Sequence, residues 1–478
     1  MKLKEILKET NYISFLGNGD TEISDITCSS REVVPGSIFV CIKGFKSDGH
    51  KYLGDAISRG AVCAVVTDDI PDVGIPTVKV EDARFAMAQM SSSLYRHPSR
   101  DIKVIGITGT NGKTTTAHLI RSIIEMAGKK TGLIGTTSIV IDGNVMDSER
   151  TTPESCLFQK YLRQMADSGA EYCITEVSSH SLELKRVNCT HFAAAAFTNL
   201  THEHLDLHGD MENYAAAKAK LFEMCDIAVM NADDSYSMDI ASKTSCKNVY
   251  TYSTESKKAD FYASDVKLSE KGIIYTLNGS VPIKSHIPGK FNVYNSLAAA
   301  AVCLSLGFSA EEVAKGLIIS KGAKGRAELV PANAPFSVMI DYAHTPDGLY
   351  NILTTLKEIT TGRIITVFGA PGDRDRTKRP EMGEIAGKYS SFCVITSDNP
   401  ASEAPDDIIE EVKPGVIRSG CEFTTITDRK EAILYALDMA KEGDTVLLAG
   451  KGHENYQITK SGKIPFSEEE IVKEHLSR

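Results

Sequence analysis

Gly109-Thr110-Asn111-Gly112-Lys113-Thr114 follows the apolar stretch "VIGIT" and runs into the helix-like "TTAHLI". Glycines let backbone N–H groups curl around an anion, and the helix adds its positive end. Lys113 supplies a point charge for distal phosphates, and Thr114, followed by Thr115, can ligate Mg²⁺. Ile107 occupies the place of the first Gly in the usual eight-residue pattern. The strand before and the helix after are nevertheless the context the pattern requires, so nucleotide phosphate binding is preferred to a structural Gly turn.

Further along, "YCITE" ends on Glu176, and "TNLTHEHLDLHGD" crowds histidines and acids around His204. Both are candidate metal ligands, although Mg²⁺ prefers oxygen and a His ligand is unusual. In "YAAAKAKLF", helical spacing puts Tyr214, Lys218, Leu221 and Phe222 on one face and Lys220 elsewhere. A lysine among apolar residues is costly unless paired, neutralised or modified. A snorkelling lysine is the bland alternative.

These groups need a scaffold. The chain has 478 residues, too many for one core. Three regions are expected: 1–99, 100–325 and 326–478. Apolar strands alternate with helical patterns in the second ("KTGLIGTTS", "EYCITEVSSH", "HFAAAAFTNL", "DIAVMNADD") and in the third ("FSVMIDYAHT", "RIITVFGAPGDRD", "FCVITSDNPA", "DTVLLAGKGHE"). Such alternation argues for an α/β protein with parallel sheets. Nearly every strand runs into a polar or Gly-rich loop, and ligands bind at the carboxyl ends of open α/β sheets. Two loaded edges suggest a cleft between domains. A net charge of −10 disfavours a bulk nucleic-acid binder. No apolar run is long enough to span a bilayer, and the N-terminus lacks a signal-peptide pattern. Eleven scattered cysteines without metal-type spacing read as buried, reduced thiols in a cytoplasmic protein.

The ordered motifs "TGTNGKTTT", "TTPE", "EVSSH", "TNLTHEHLDLHGDMENYAAAKAKLF", "GKFNVYNSLAA", "GRAE", "DYAHTPD", "GDRDRTKRPEMG", "DNPA" and "GKGHENYQ" together resemble the Mur ligases, specifically the branch that makes UDP-N-acetylmuramoyl-tripeptide. "SSREVVPGSIFVCIKGFKSDGHKY" resembles that family's UDP-binding domain, with Ser29 where Asp is usual. The resemblance implies a small N-terminal α/β UDP-binding domain (1–99), a central P-loop ATPase-like parallel-sheet domain (100–325) and a C-terminal Rossmann-like, amino-acid-binding domain (326–478). It implies an ATP- and Mg²⁺-dependent monomeric enzyme of cytoplasmic peptidoglycan synthesis, serving cell-wall biogenesis, cell shape and division. Such a ligase adds an amino acid to UDP-N-acetylmuramoyl-L-alanyl-D-glutamate through an acyl phosphate.

Residue roles follow from the resemblance alone. Gly109 to Thr115 hold the nucleotide, with Lys113 on the distal phosphates. Thr114, Glu176, His204 and a carbamoylated Lys218 serve Mg²⁺. Asn292 and Asn295 lie near the adenine, and Arg326, Asp341 and His344 close on the nucleotide. Ser30, Thr151, Thr152, Ser178 and Arg186 hold the UDP-linked dipeptide. Arg374, Asp398, Asn399, Ala401, Gly450 and Glu454 surround the incoming amino acid.

Enzymes of this branch that use meso-diaminopimelate typically read "DNPR" where this chain reads Asp398-Asn399-Pro400-Ala401. Ala401 cannot pair with the extra distal carboxylate, so L-lysine is the expected acceptor, with meso-diaminopimelate or L-ornithine as alternatives. A folylpolyglutamate synthetase-like ligase shares the core but fits "DNPA" and "GKGHE" poorly. A phosphate-loop switch or motor would need no second substrate and no charged strand ends in the third region.

Overall fold

The computed structural model describes residues 1–44, 47–201 and 208–477, so His204 lies outside the described residues. The chain divides into two compact units, Met1–Phe261 with Ala298–Gly316, and Tyr262–Leu297 with Leu317–Arg478.

The first unit contains two sheets. The smaller orders its strands Ser14–Leu16, Thr77–Lys79, Ala61–Val66, Ser37–Val40, Asp25–Thr27, all parallel except the first. Its central strands are apolar on both faces. Ile38, Val40, Cys63 and Val65 pack under Met87 and Met90, while Phe39, Cys41, Ala64 and Val66 face Leu53 and Ala56. Burial on both faces explains why these strands read as continuous apolar runs. The helix Ala83–Leu94 is capped by Asp82, which accepts from the N–H groups of Arg84 and Phe85.

The second sheet of this unit places six parallel strands in the order Asn248–Ser253, Ile227–Asn231, Phe192–Phe197, Lys103–Thr108, Tyr172–Glu176, Thr131–Ile134. Lys103–Thr108 is central, and the phosphate-loop sequence leaves its carboxyl end. Its neighbours are in register with Glu176 beside Ile107 and Phe197 beside Thr108. The loops after all three strands therefore emerge side by side. A hairpin, Ile139–Ile141 with Asn144–Met146, extends this sheet antiparallel. Its turn is Asp142-Gly143, both at positive φ (52° and 77°), a sequence signal that the strand–helix alternation alone does not pick up.

In the second unit, Phe261–Ser269, Gly272–Leu277 and Val281–Ser285 form an antiparallel meander. A six-stranded sheet follows, ordered Glu328–Leu329, Ser337–Asp341, Thr445–Ala449, Ile364–Phe368, Phe392–Ile395, Glu422–Thr425, parallel except for the first. Asp341 pairs with Ala449 and Phe368 with Ile395, so the polar loops beyond them share one edge.

No helix among the described residues is long and apolar enough to cross a membrane. All eleven cysteines are free. Seven are buried, but Cys28, Cys246 and Cys421 are partly exposed and Cys189 is exposed, which corrects the expectation of uniform burial.

Candidate functional site

The phosphate loop turns on Gly109 and Gly112, at φ 147° and 85°. A Cβ on Gly109 would lie 1.9 Å from Thr198 Oγ1, so glycine is needed both for the backbone and for the close approach of the next strand's loop. That neighbouring loop pins the first. Asn111 N–H donates to Asn199 Oδ1 (2.9 Å), Thr110 N–H to the Asn199 carbonyl (2.8 Å), and Thr198 Oγ1 to the Asn111 carbonyl (2.6 Å). The helix Lys113–Met126 starts without a side-chain cap, which leaves its first N–H groups directed at the loop. Lys113 Nζ arches back to the carbonyls of Gly109 (2.9 Å) and Thr110 (2.8 Å). Thr115 is buried in the first turn.

Glu176 is 1% exposed. Its carboxylate accepts from Thr114 Oγ1 (2.8 Å), from Thr136 N–H (2.7 Å) and from Thr136 Oγ1 (3.0 Å). Gly135 makes room for it, because a Cβ there would lie 2.5 Å from Oε1. Among the described residues no lysine, arginine or histidine pairs with this buried carboxylate. A hydroxyl and an uncompensated carboxylate beside a phosphate loop form the all-oxygen donor set that suits Mg²⁺, so the residues present fit that ion.

Lys218 lies on the helix Met211–Ala219, 1% exposed, with Nζ 4.4 Å from the Tyr214 ring centroid. Tyr214 Oη is 3.3 Å from Thr110 Oγ1, which links this helix to the phosphate loop. His208 stacks on Tyr214 at 4.9 Å between ring centroids. Lys220 is exposed and pairs with Glu183, as the helical spacing predicts.

Thr151, Thr152, Ser178 and Arg186 gather next to Glu176. Thr151 Oγ1 lies in hydrogen-bond contact with Thr136 Oγ1 (3.0 Å), and Thr152 Oγ1 donates to the Glu176 carbonyl (2.8 Å). Ser178 N–H donates to Thr152 Oγ1 (3.2 Å), and Arg186 donates to the Thr152 carbonyl (3.1 Å) and pairs with Glu154 (2.9 Å). Ser30 opens a short turn in the smaller sheet's region.

The second unit gathers a separate set. Asp341 Oδ2 accepts from Ala327 N–H (2.7 Å); desolvation pushes its carboxyl above the ordinary value, with the Arg326 guanidinium opposing. Arg326 lies 4.7 Å from the Tyr342 ring centroid, which also contacts the rings of His344 and His453. Burial pushes the His453 pKa down to about 4, so that ring is neutral at pH 7. Asn292 and Asn295 are buried on their helix, and Asn295 Nδ2 donates to Asn292 Oδ1 (2.9 Å).

Asn399, Lys451 and Glu454 form a closed triangle. Lys451 Nζ donates to Asn399 Oδ1 (3.0 Å) and Glu454 Oε2 (2.9 Å), and Asn399 Nδ2 donates to Glu454 Oε2 (2.8 Å). Asp398 is buried and its Oδ2 has no hydrogen-bond partner. A Cβ on Gly450 would lie 2.3 Å from that oxygen, which accounts for glycine there. Ala401 adopts φ 53°, and Arg374 is exposed on the loop after Ile364–Phe368.

Sequence reasoning passed over the groups that organise these residues: Thr136, Thr198, Tyr342 and the brace made by Glu403. Arg379 holds the Glu403 carboxylate through two N–H donors (2.8 and 3.0 Å), and Asp373 N–H donates to it (2.7 Å). These contacts tie the Arg374 loop to the Ala401 loop and push the Glu403 pKa down to about 2, mainly through Arg379. The folded value lies below the ordinary 4.5, so the stabilisation is present above about pH 4.5 and is lost as pH falls toward 2. Glu403→Gln is expected to lower Tm at pH 7 and to leave Tm near pH 2.5 close to wild type. Thermal melts at the two pH values check this, and equal losses at both would refute the linkage.

Residues 22–95, 107–303 and 325–452 match family models described as Mur ligase family, catalytic domain; Mur ligase middle domain; and Mur ligase, glutamate ligase domain. The chain is 46% identical to the UDP-N-acetylmuramoyl-L-alanyl-D-glutamate–2,6-diaminopimelate ligase of Clostridium perfringens, over 99% of each chain. It is 43% identical to the ligase of the same name from Clostridioides difficile, over 100% of each. A solved structure described by that ligase name superposes with a TM-score of 0.71 at 30% identity, covering 100% of this chain and 99% of the other. The MurF ligase of Thermotoga maritima in complex with ADP shares the fold, with a TM-score of 0.63 at 20% identity and coverage of 95% and 97%. The architecture is thus the three-domain α/β arrangement with a parallel-sheet central domain.

Proposed function

The chain belongs to the Mur ligase family, and on that footing we propose that this ATP-dependent ligase extends UDP-N-acetylmuramoyl-L-alanyl-D-glutamate by one diamino acid in peptidoglycan precursor synthesis. One observation carries the reading. The buried Glu176 carboxylate joins the phosphate loop, through Thr114, to the polar group of Thr151, Thr152, Ser178 and Arg186. A phosphate site and a site suited to an anionic peptide thus meet at one sheet edge.

A carboxylate is a poor acyl donor. In the proposed reaction its oxygen attacks the γ-phosphorus of ATP, the bond to the bridging oxygen breaks, and ADP leaves. The acceptor's amine, as the free base, then attacks the acyl phosphate, the C–N bond forms, the C–O bond to the phosphoryl group breaks, and inorganic phosphate leaves with the proton that the nitrogen gives up. Lys113 and the loop amides hold the phosphates and meet the charge that develops on the transferring group. Thr114 and Glu176 would hold Mg²⁺, with His204 and a carbamoylated Lys218 as further contributors. The ion supplies charge neutralisation at the phosphates. Arg326, Asp341, His344, Asn292 and Asn295 would serve the nucleotide, and Ser30 the uridine end. Arg374, Asp398, Asn399, Gly450 and Glu454 would surround the amino acid. The domain limits 1–99, 100–325 and 326–478 belong to the same proposal.

The expectation of L-lysine rested on Ala401. The names of the relatives, at up to 46% identity over 99% of each chain, support 2,6-diaminopimelate better, and we adopt it as the first reading. Ala401 keeps L-lysine as the second, because a distal carboxylate there needs a basic partner that alanine does not supply. A panel of meso-diaminopimelate, L-lysine and L-ornithine, scored by product mass, decides. The first reading expects kcat/KM for meso-diaminopimelate more than tenfold above that for L-lysine. The reverse preference would establish the second. Under either, Ala401→Arg is expected to shift the ratio toward meso-diaminopimelate, through pairing with the distal carboxylate and repulsion of the lysine ammonium. Phosphate release is expected only when both the UDP-linked dipeptide and the amino acid are present. Unconditional turnover would instead fit a switch or motor.

A further inference from the structure

Glu154, at the start of the helix Ser155–Asp167, is the meeting point of three guanidinium groups. Arg150 pairs with it at 2.5 Å and Arg186 at 2.9 Å, while Arg84, from the helix Ala83–Leu94 beside the smaller sheet, stands off at 3.6 Å. Arg84, Arg186 and Glu154 are largely buried, with side-chain exposures of 21%, 12% and 16%. One carboxylate does not neutralise three cations. Of the other acids nearby, Glu32 is exposed to solvent and Asp82 pairs with Lys185, while Cys28, whose pKa burial pushes up to about 11, contributes no charge at neutral pH. The strain registers on Arg186. Desolvation and the repulsion of Arg150 and Arg84 lower its pKa, and Glu154 offsets this only in part.

Donor and acceptor capacity is also left over. Arg186 uses its two Nη groups on the Thr152 carbonyl and Glu154, and its Nε is buried without a partner. Glu154 Oε2, which faces Arg84 across the long 3.6 Å gap, is likewise buried and not hydrogen-bonded. A cluster with more cations than acids and an unused buried donor suits one more anion. It lies next to Thr152, whose hydroxyl bonds the Glu176 carbonyl.

Resting on the proposed substrate, we propose that Arg84 binds the D-glutamyl carboxylate that does not react, completing a carboxylate subsite with Arg186. Glu154 is the resident counter-ion that holds the three arginines in place before substrate arrives. The D-glutamyl residue carries two carboxylates within a few bonds of each other, so if one stands at the phosphate loop the other falls within a short reach of it. The diphosphate lies farther along the ligand, beyond the lactoyl and alanyl groups. The subsite also makes a residue from beside the smaller sheet answer to the reacting end of the ligand. Arg84 thereby selects a dicarboxylic terminal residue over a monocarboxylic one.

The test is calorimetric binding of three ligands to wild type and to Arg84→Met, with melting temperature as the fold control. The ligands are the parent UDP-linked dipeptide and two analogues that each keep one carboxylate, with 4-aminobutyrate or D-2-aminobutyrate in place of D-glutamate. Arg84→Met is expected to weaken the parent at least tenfold. One of the two analogues, the one without the non-reacting carboxylate, is expected to bind both proteins equally. Equal loss for parent and both analogues would overturn the proposal, because Arg84 would then act on the diphosphate or on the fold. An unchanged Kd for the parent would overturn it too. Should Arg84→Met fail to fold, Arg84→Lys carries the same comparison with a smaller loss for the parent. Failure of wild type to bind the parent at all would strike the proposed function itself.

Discussion

Lys113→Ala is expected to cut ligation at least about 10²–10³-fold, the loss typical when one preorganised charge-stabilising donor is removed. Lys113 contributes no core packing. Its ammonium spans the phosphate loop, bonded to the carbonyls of Gly109 and Thr110. The loop is held independently by Thr198 and Asn199, so its shape does not depend on the lysine. The variant should therefore melt close to wild type while losing substrate-dependent phosphate release. A well-folded Lys113→Ala protein that ligates at a near-normal rate would remove the phosphate loop from the mechanism.

Lys218→Ala is expected to be nearly inactive, for a different reason. Lys218 is buried to 1% exposure with its Nζ over the Tyr214 ring, in a helix that reaches the phosphate loop through Tyr214 and Thr110. A buried ammonium beside the proposed site for phosphates and Mg²⁺ pays desolvation. Carbamoylation changes the sign of the charge. The neutral amine attacks carbon dioxide, an N–C bond forms, one C=O electron pair moves onto oxygen, and a proton leaves to solvent. The product is an anion that can help place Mg²⁺. Short carboxylates are expected to restore part of the lost activity of Lys218→Ala by replacing that anion. Labelled bicarbonate should give a carbamate carbon resonance in wild type and none in the variant. Full activity in Lys218→Ala, or no carbamate signal in active wild-type enzyme, would overturn the assignment.

Local chemistry was legible in the sequence. The loop from Gly109 to Thr114 announces itself because glycine spacing and a following helix are short-range properties. The buried face of Lys218 and the exposed face of Lys220 follow from helical period alone, and the structure places both as that period requires. The strands were legible because strands buried on both faces must be apolar throughout. The hairpin at Asp142-Gly143 was legible too, from its turn residues, but alternation was the stronger pattern and masked it.

The amino acid added was less legible. Ala401 removes one possible partner for a distal carboxylate, but specificity is a difference between two whole pockets, and one absent side chain does not set it.

What the sequence determined by itself was the inventory: which residues end strands, which open helices and which loops carry charge. Those properties depend on neighbours a few residues away. What only the tertiary structure decided was adjacency. Parallel register sets Glu176 beside Ile107 and Phe197 beside Thr108, so Thr114, Glu176 and Asn199, far apart in the chain, meet at one edge. The same holds for Asn399 with Lys451 and Glu454, and for Arg84 with Glu154 and Arg186. Such pairings are fixed by strand order and by helix packing across the whole domain, and neither is written in the spacing of residues along any one segment.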